Sequence, residues 1–225
     1  MILTDYEKLS QRSEEVETKK ENKLIRETIL KLKDIIREKN LTCLSAPEID
    51  VFKRLFVINF NGDLRTFINP ILSWVDNFQL STEECVTLPG KKYMRPRYGK
   101  IGIMYETPLG KIEQVQLTGL AAITFQHCLD HLDGLLLCDV GLEIEDDFEN
   151  ASEDEKAEVI KEYLDSIDLK AKEINIQINN DSKLHQIKEA GEFIKSIKKG
   201  ETSVTTEQVA YVKEDNEETK DQTDK

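Results

Sequence analysis

Gln126-His127-Cys128-Leu129-Asp130-His131-Leu132-Asp133-Gly134 is the stretch on which the reading of this 225-residue chain turns. Just upstream, Leu120, Ala122, Ile123 and Phe125 make residues 119–132 apolar nearly all round, the pattern of a helix packed inside sheets, and Gly134 stops it. His127 and His131, four apart, then share a face and can hold one metal ion. The hydrolytic form of such a helix, His-Glu-x-x-His, has a glutamate after the first histidine to move the proton of the attacking water. Cys128 stands there instead. Histidines at this spacing also arise by accident on helices, so spacing alone leaves metal binding and a satisfied surface pair both open.

An open catalytic site needs a third protein ligand. Cys85 is the candidate, because Ser81-Thr82-Glu83-Glu84-Cys85-Val86-Thr87-Leu88-Pro89-Gly90 reads as a turn from which a ligand loop can approach the helix. Its alternative is a buried small hydrophobe. Cys43, Cys85, Cys128 and Cys138 contain no Cys-x-x-Cys spacing, which argues against a zinc knuckle or a thioredoxin-type motif.

Around this helix the chain reads as α+β. Ile25, Ile29, Leu32 and Ile36 mark an amphipathic helix over residues 21–39. Leu55–Phe60 and Thr66–Leu72, split by the turn Asn61-Gly62-Asp63, are expected to pair as strands, as are Lys100–Tyr105 and Lys111–Leu117. Beyond residue 142, Ser152 and Glu155 have capping-box spacing before Ile160, Tyr163, Leu164 and Ile167, and a second helix is expected from Ser182 to Lys199. The expected units are a metal-binding domain over 1–142, an acidic helical extension over 143–200 and a disordered tail over 201–225.

Charge separates the same regions. Residues 1–140 hold 20 acids and 19 bases, so residues 141–225 carry −12 of the net −13. Such a segment repels nucleic acid and anionic lipid, and the basic pairs Lys53-Arg54 and Lys91-Lys92 are too short for a nucleic-acid footprint, so neither partner is expected. The extension is expected to contact a protein partner or a second copy. With no signal peptide, no run of eighteen apolar residues and free cysteines, the expected compartment is the cytoplasm. His185 reads as a solvated surface residue.

Three ordered segments resemble the peptide deformylases, metal-dependent enzymes that remove the formyl group from the N-terminal methionine of new proteins. Cys43-Leu44-Ser45-Ala46-Pro47-Glu48 is similar to the family's Gly-Leu-Ala-Ala-Pro-Gln. Glu83-Glu84-Cys85-Val86-Thr87-Leu88-Pro89-Gly90 is similar to Glu-Gly-Cys-Leu-Ser followed by Leu-Pro-Gly, and Gln126–Gly134 to Gln-His-Glu-x-Asp-His-Leu-x-Gly. The resemblance covers roughly residues 1–140 and implies antiparallel sheets around a central metal-binding helix.

It implies that Cys85, His127 and His131 ligate one divalent metal, Fe2+ or Zn2+ with Ni2+ also accommodated. The Val86 N–H would polarise the formyl oxygen, and Cys43, Leu44, Glu84 and Ile123 would shape the substrate pocket. Gln126 and Asp130 would orient a ligand and satisfy the helix. The implied partner is an N-formyl-methionyl peptide or a nascent-chain N-terminus, attacked by metal-activated water.

Two departures alter that expectation. Cys128 replaces the proton-shuttling glutamate, and Glu48 replaces a glutamine that donates to the oxyanion. One reading makes Glu48 the substitute base in an enzyme of reduced or altered activity. The other keeps the fold and metal for capturing a peptide or partner, without catalysis. A third makes Cys85 and Cys128 redox-sensing thiols beside one metal.

Overall fold

The structure, a computed structural model, describes residues 1–145, 148 and 150–178. The helix expected at Ser182–Lys199, with His185, and the tail over 201–225 lie outside these residues. In chain order the elements are α1 (Tyr6–Leu9), α2 (Asn22–Lys39), β1 (Cys43–Ser45), a 3-10 turn (Ala46–Ile49), β2 (Leu55–Phe60), β3 (Asp63–Glu84), β4 (Lys92–Glu106), β5 (Ile112–Thr118), α3 (Gly119–Leu132), α4 (Leu137–Val140), β6 (Leu142–Ile144) and α5 (Glu153–Ile178).

Alternation along β2 decides where the core sits. Phe56, Ile58 and Phe60 face one side of the sheet, while Leu55 and Val57 face the other. α2 closes the second side with Ile25, Ile29, Leu32 and Ile36, all buried as their spacing requires. α3 closes the first with Ala122, Phe125, Cys128 and Leu132. Phe125 packs edge-on against Phe56 and Phe67, with ring centroids 5.1 and 5.4 Å apart. Each such pair adds about 0.5–1.5 kcal/mol beyond its buried area. That clamp on Phe125 also sets where the next turn of α3, with His127, meets the sheet.

The named strands among the described residues all pair antiparallel, in the order β1-β2-β3-β4-β5, with β6 added against Lys92–Met94 of β4, and an isolated parallel bridge joins Glu14 to Lys53. β3 is the long member: its first residues pair with β2 and the rest with β4. Its register shifts between Ile68 and Ile71, where Asn69 adopts φ 46°. The Asn69 side chain accepts from Val16 N–H at 2.8 Å and donates to Val16 O and Glu106 Oε1, both at 2.9 Å. This amide replaces the ladder partner that the irregularity removes.

Both hairpin strands exceed the sequence expectation. β3 continues past Leu72 to Glu84, and β4 begins at Lys92 rather than Lys100. Asp76, Asn77 and Pro96 interrupt the apolar pattern, yet the β3–β4 ladder pairs through this region, with Leu80 opposite Pro96. Ser81–Glu84 are therefore strand and not turn, and Cys85 follows them into a buried position. The sheet also takes in Leu142–Ile144, beyond the expected boundary at 142. α5 starts with the expected capping box: Ser152 N–H and O–H donate to Glu155 Oε2 at 2.8 and 2.7 Å. Tyr163 O–H then donates to Val140 O at 2.7 Å, tying α5 to the sheet domain. No helix among the described residues is long and apolar enough to cross a membrane.

Candidate metal centre

Three donors converge from two elements. Cys85 stands just past the end of β3, and His127 and His131 stand one turn apart on α3. Their ligand atoms all lie within 4.8 Å of one another, with Cys85 Sγ 3.2 Å from His131 Nε2. The imidazoles meet nearly edge-on, centroids 5.0 Å apart. All three side chains are buried.

A chain of charges fixes His127 from behind. Its Nδ1 lies 3.0 Å from Glu83 Oε2, leaving Nε2 for the donor cluster. Arg97 grips Glu83 through two parallel hydrogen bonds of 2.6 and 2.8 Å, and its third nitrogen reaches Asp130 Oδ2 at 2.6 Å. Arg95 donates to the same Asp130 oxygen at 2.6 Å. Burial pushes Glu83 up, but hydrogen bonds from Arg97 and His127 outweigh it and hold the carboxyl at about 2. This network was not read from the sequence beyond Asp130. A signal was present, since Arg95 and Arg97 are two apart and share a face once β4 is a strand.

The remaining fixed residues of the helix stretch are structural. Gln126 reaches β4 like a ladder partner: Oε1 accepts from Tyr98 N–H at 3.0 Å and Nε2 donates to Tyr98 O at 2.7 Å. Gly134 has φ 71°, and a Cβ there would lie 2.4 Å from Ser10 O, so both conformation and close packing require glycine.

The donor chemistry fits a thiophilic divalent cation. Burial pushes the Cys85 thiol up, but hydrogen bonds from His127 and His131 bring it down to about 6, a thiolate at neutral pH. Burial disfavours charge on both imidazoles, yet His127 is raised well above its ordinary value by Cys85 and Glu83, and His131 is raised by Glu48 and Cys85. Buried negative groups thus draw positive charge to the point where the three donors meet. A Cys-His-His set with room for a further ligand suits zinc or ferrous iron. His131 Nδ1 is buried with no hydrogen-bond partner among the described residues.

Glu48 enters from the 3-10 turn, almost fully buried at 2% exposure. Its Oε2 accepts from Ser45 N–H at 2.6 Å and from Ser45 O–H at 2.5 Å, a capping box whose Ser-x-x-Glu spacing is visible in the sequence. Its Oε1 faces the donors, 3.9 Å from His131 Nε2. Cys128, next to His127, lines neither of the cavities beside the donors: it has no exposed surface, belongs to the apolar core and lies near Cys43, Glu48 and Cys85. Burial and the neighbouring Cys43 raise it well above the ordinary thiol range, so it is neutral.

Two cavities adjoin the donors. One of about 420 Å3 is lined by Cys43, Glu48, Glu84, Cys85, Val86 and His127 among others, and one of about 200 Å3 by Cys43, Glu84, Ile123 and His127. Cys43, Glu84, Val86 and Ile123 thus meet the site. Leu44 lines neither cavity, because on β1 it points opposite to its neighbours, into the core under α2. A larger cavity of about 550 Å3, between Asn40 and Thr124, contains none of the donors.

Comparison with known proteins agrees with this geometry. The family described as Polypeptide deformylase matches residues 1–145. A peptide deformylase of Symbiobacterium thermophilum is 34% identical over 119 residues, covering 52% of this chain and 55% of the relative. One of Fusobacterium nucleatum is 35% identical over 132 residues, covering 57% and 75%. The chain thus spans little more than half the length of the first of these relatives. The crystal structure of the Thermotoga maritima peptide deformylase superposes with TM-score 0.55 at 27% identity, over 58% of this chain and 88% of that one.

Proposed function

The chain belongs to the polypeptide deformylase family, and on that premise we propose that it hydrolyses N-formyl-methionyl peptides with Glu48, not residue 128, as the base. The observation that carries this reading is the Glu48 carboxylate, anchored through one oxygen by Ser45 and presenting the other beside His131. A divalent cation on Cys85, His127 and His131 would supply Lewis acidity toward water and the formyl oxygen.

The chain's own groups account for the rest. The peptide N-terminus enters the cavity of about 420 Å3, where the Val86 N–H donates to the formyl oxygen as negative charge develops. Glu48 Oε1 takes a proton from the attacking water and returns it to the leaving amine, giving formate and a free N-terminus. The neutral Cys128 thiol faces the core and takes no part. Glu48 does this from the position of an oxyanion donor, so a reduced rate is part of the proposal. A nascent chain in the cytoplasm is the corresponding substrate.

The Cys128 thiol, buried and protonated where the family carries its glutamate, favours a second reading as a non-catalytic metal and peptide binder. The test is formate release from a formyl-Met peptide by anaerobically purified protein of measured metal content. Turnover lost in Glu48→Gln supports the substitute base; turnover retained there sinks it. No turnover in the unmodified chain, together with measurable peptide binding, selects the second reading.

A further inference from the structure

Two of the departures from the family pattern are cysteines, and the fold brings them together. Cys43 lies on β1 opposite Ile58, and its side chain packs against the core cluster that holds both Ile58 and Cys128 of α3, so the two cysteines meet on one face between strand and helix. Cys43 is half-buried and lines both cavities beside the donors, whereas Cys128 is sealed behind it in the core. The other two thiols are differently engaged. Cys85 is held by His131 at 3.2 Å and Thr87 at 3.0 Å within the donor cluster, and Cys138 is exposed on α4. Cys43 and Cys128 are thus an adjacent thiol pair without ligand duty, one member facing an entry path and the other shielded from it.

We propose that Cys43 and Cys128 form a reversible disulfide with hydrogen peroxide as oxidant, strapping β1 to α3 along the wall of the donor cavity. The peroxide enters by the cavity. The Cys43 sulfur attacks one peroxide oxygen, the O–O bond breaks, and Cys43 becomes a sulfenic acid as one water leaves. The Cys128 sulfur then attacks the Cys43 sulfur; the S–S bond forms, the S–O bond breaks, and hydroxide departs with the thiol proton as a second water. Two electrons pass from the two sulfurs to the peroxide. The division of labour follows from burial, since the cavity-facing thiol meets the oxidant and the enclosed one can only resolve it. Because α3 carries both histidines and β1 leads into the Ser45–Glu48 box, the strap joins the two elements that hold opposite sides of the site.

The test treats the metal-loaded full chain with about one equivalent of hydrogen peroxide, then alkylates all free thiols after denaturation. The expected product keeps Cys85 and Cys138 alkylated, gives a non-reduced peptide map joining the Cys43 and Cys128 peptides, and regains all four alkylations after dithiothreitol. Cys43→Ser, at a half-buried position, is expected to leave Cys128 fully alkylated; Cys128→Ala, which puts no polar atom in the core, is expected to leave Cys43 without a linked partner. A bond to Cys85 or Cys138, four free thiols after oxidation, or Cys43 carried on to sulfinic acid beside a free Cys128 would each overturn the proposal.

Discussion

The two halves of the donor site differ in how their polar groups are supported. On the α3–β4 side the charges form one connected chain: Arg95 and Arg97 meet Asp130, Arg97 also meets Glu83, and Glu83 meets His127. Where α3 faces β1 and the 3-10 turn, Glu48 is hydrogen-bonded through one oxygen, and Cys43 of β1 and Cys128 of α3 have thiols where the family motifs have glycine and glutamate. The first half holds and aims donors, and the second half would move protons. Position of the donors is thereby separable from turnover, and substitutions on one side should leave the other side's property standing.

The largest effect expected is on the second half. Cys128→Glu should raise formyl-peptide turnover about 10²- to 10⁴-fold, the usual contribution of a general base, without changing metal content. Combining it with Glu48→Gln should keep that gain, whereas Glu48→Gln alone should remove activity. A double-mutant cycle on kcat/KM reads the coupling, and simple additivity would break the separation drawn here. Next comes the first half's scaffold: Arg97→Met leaves Glu83 buried without its main partner and should cost about 3–5 kcal/mol in denaturant unfolding.

Smaller again is Glu83→Gln, which weakens the hold on His127 while Arg97 keeps Asp130, and should weaken metal retention about 10- to 100-fold in chelator competition. Retention unchanged in that variant would mean that the charge chain does not orient the ligand. Acid titration probes the same group. Glu83 is held at about 2 against an ordinary 4.5, so its contribution is complete above the ordinary value and lost as pH falls toward about 2. Stability followed by circular dichroism should decline across that window, and Glu83→Gln should flatten the decline. Smallest is the exposed Lys8–Asp50 pair, 3.3 Å apart, where Lys8→Ala should cost no more than about 1 kcal/mol.

The donors were legible because their positions rest on local rules, helical spacing for His127 and His131 and an ordered motif for Cys85. α2 and β2 were legible for the same reason, through periods that match their buried faces. The answering charges were not, because β4 looks irregular where it does this work: Pro96 and the basic residues around it hide the strand that aims Arg95 and Arg97 inward. The meeting of Cys43 and Cys128 had no local signature either, since it follows only from packing α3 on β1. The Ser45–Glu48 box did carry one, in a spacing that stands out at helix starts and was masked here by a motif read for chemistry.

The segment before α2 has a consequence for synthesis. Leu3 N–H pairs with Glu48 O at 2.8 Å, Ser13 N–H with Leu132 O at 2.8 Å, and Tyr6 O–H with Asp139 at 2.7 Å. These residues leave the ribosome before any of their partners, and the last of those partners emerges more than a hundred residues later. At about 5–20 residues per second, the early segment waits several seconds in an unfinished state. Contacts of such long separation also slow folding, because loop closure must precede their reward. A segment made well before its partners is thus among the last to settle, and it settles as a clasp on the turn of Glu48 and the end of α3 together.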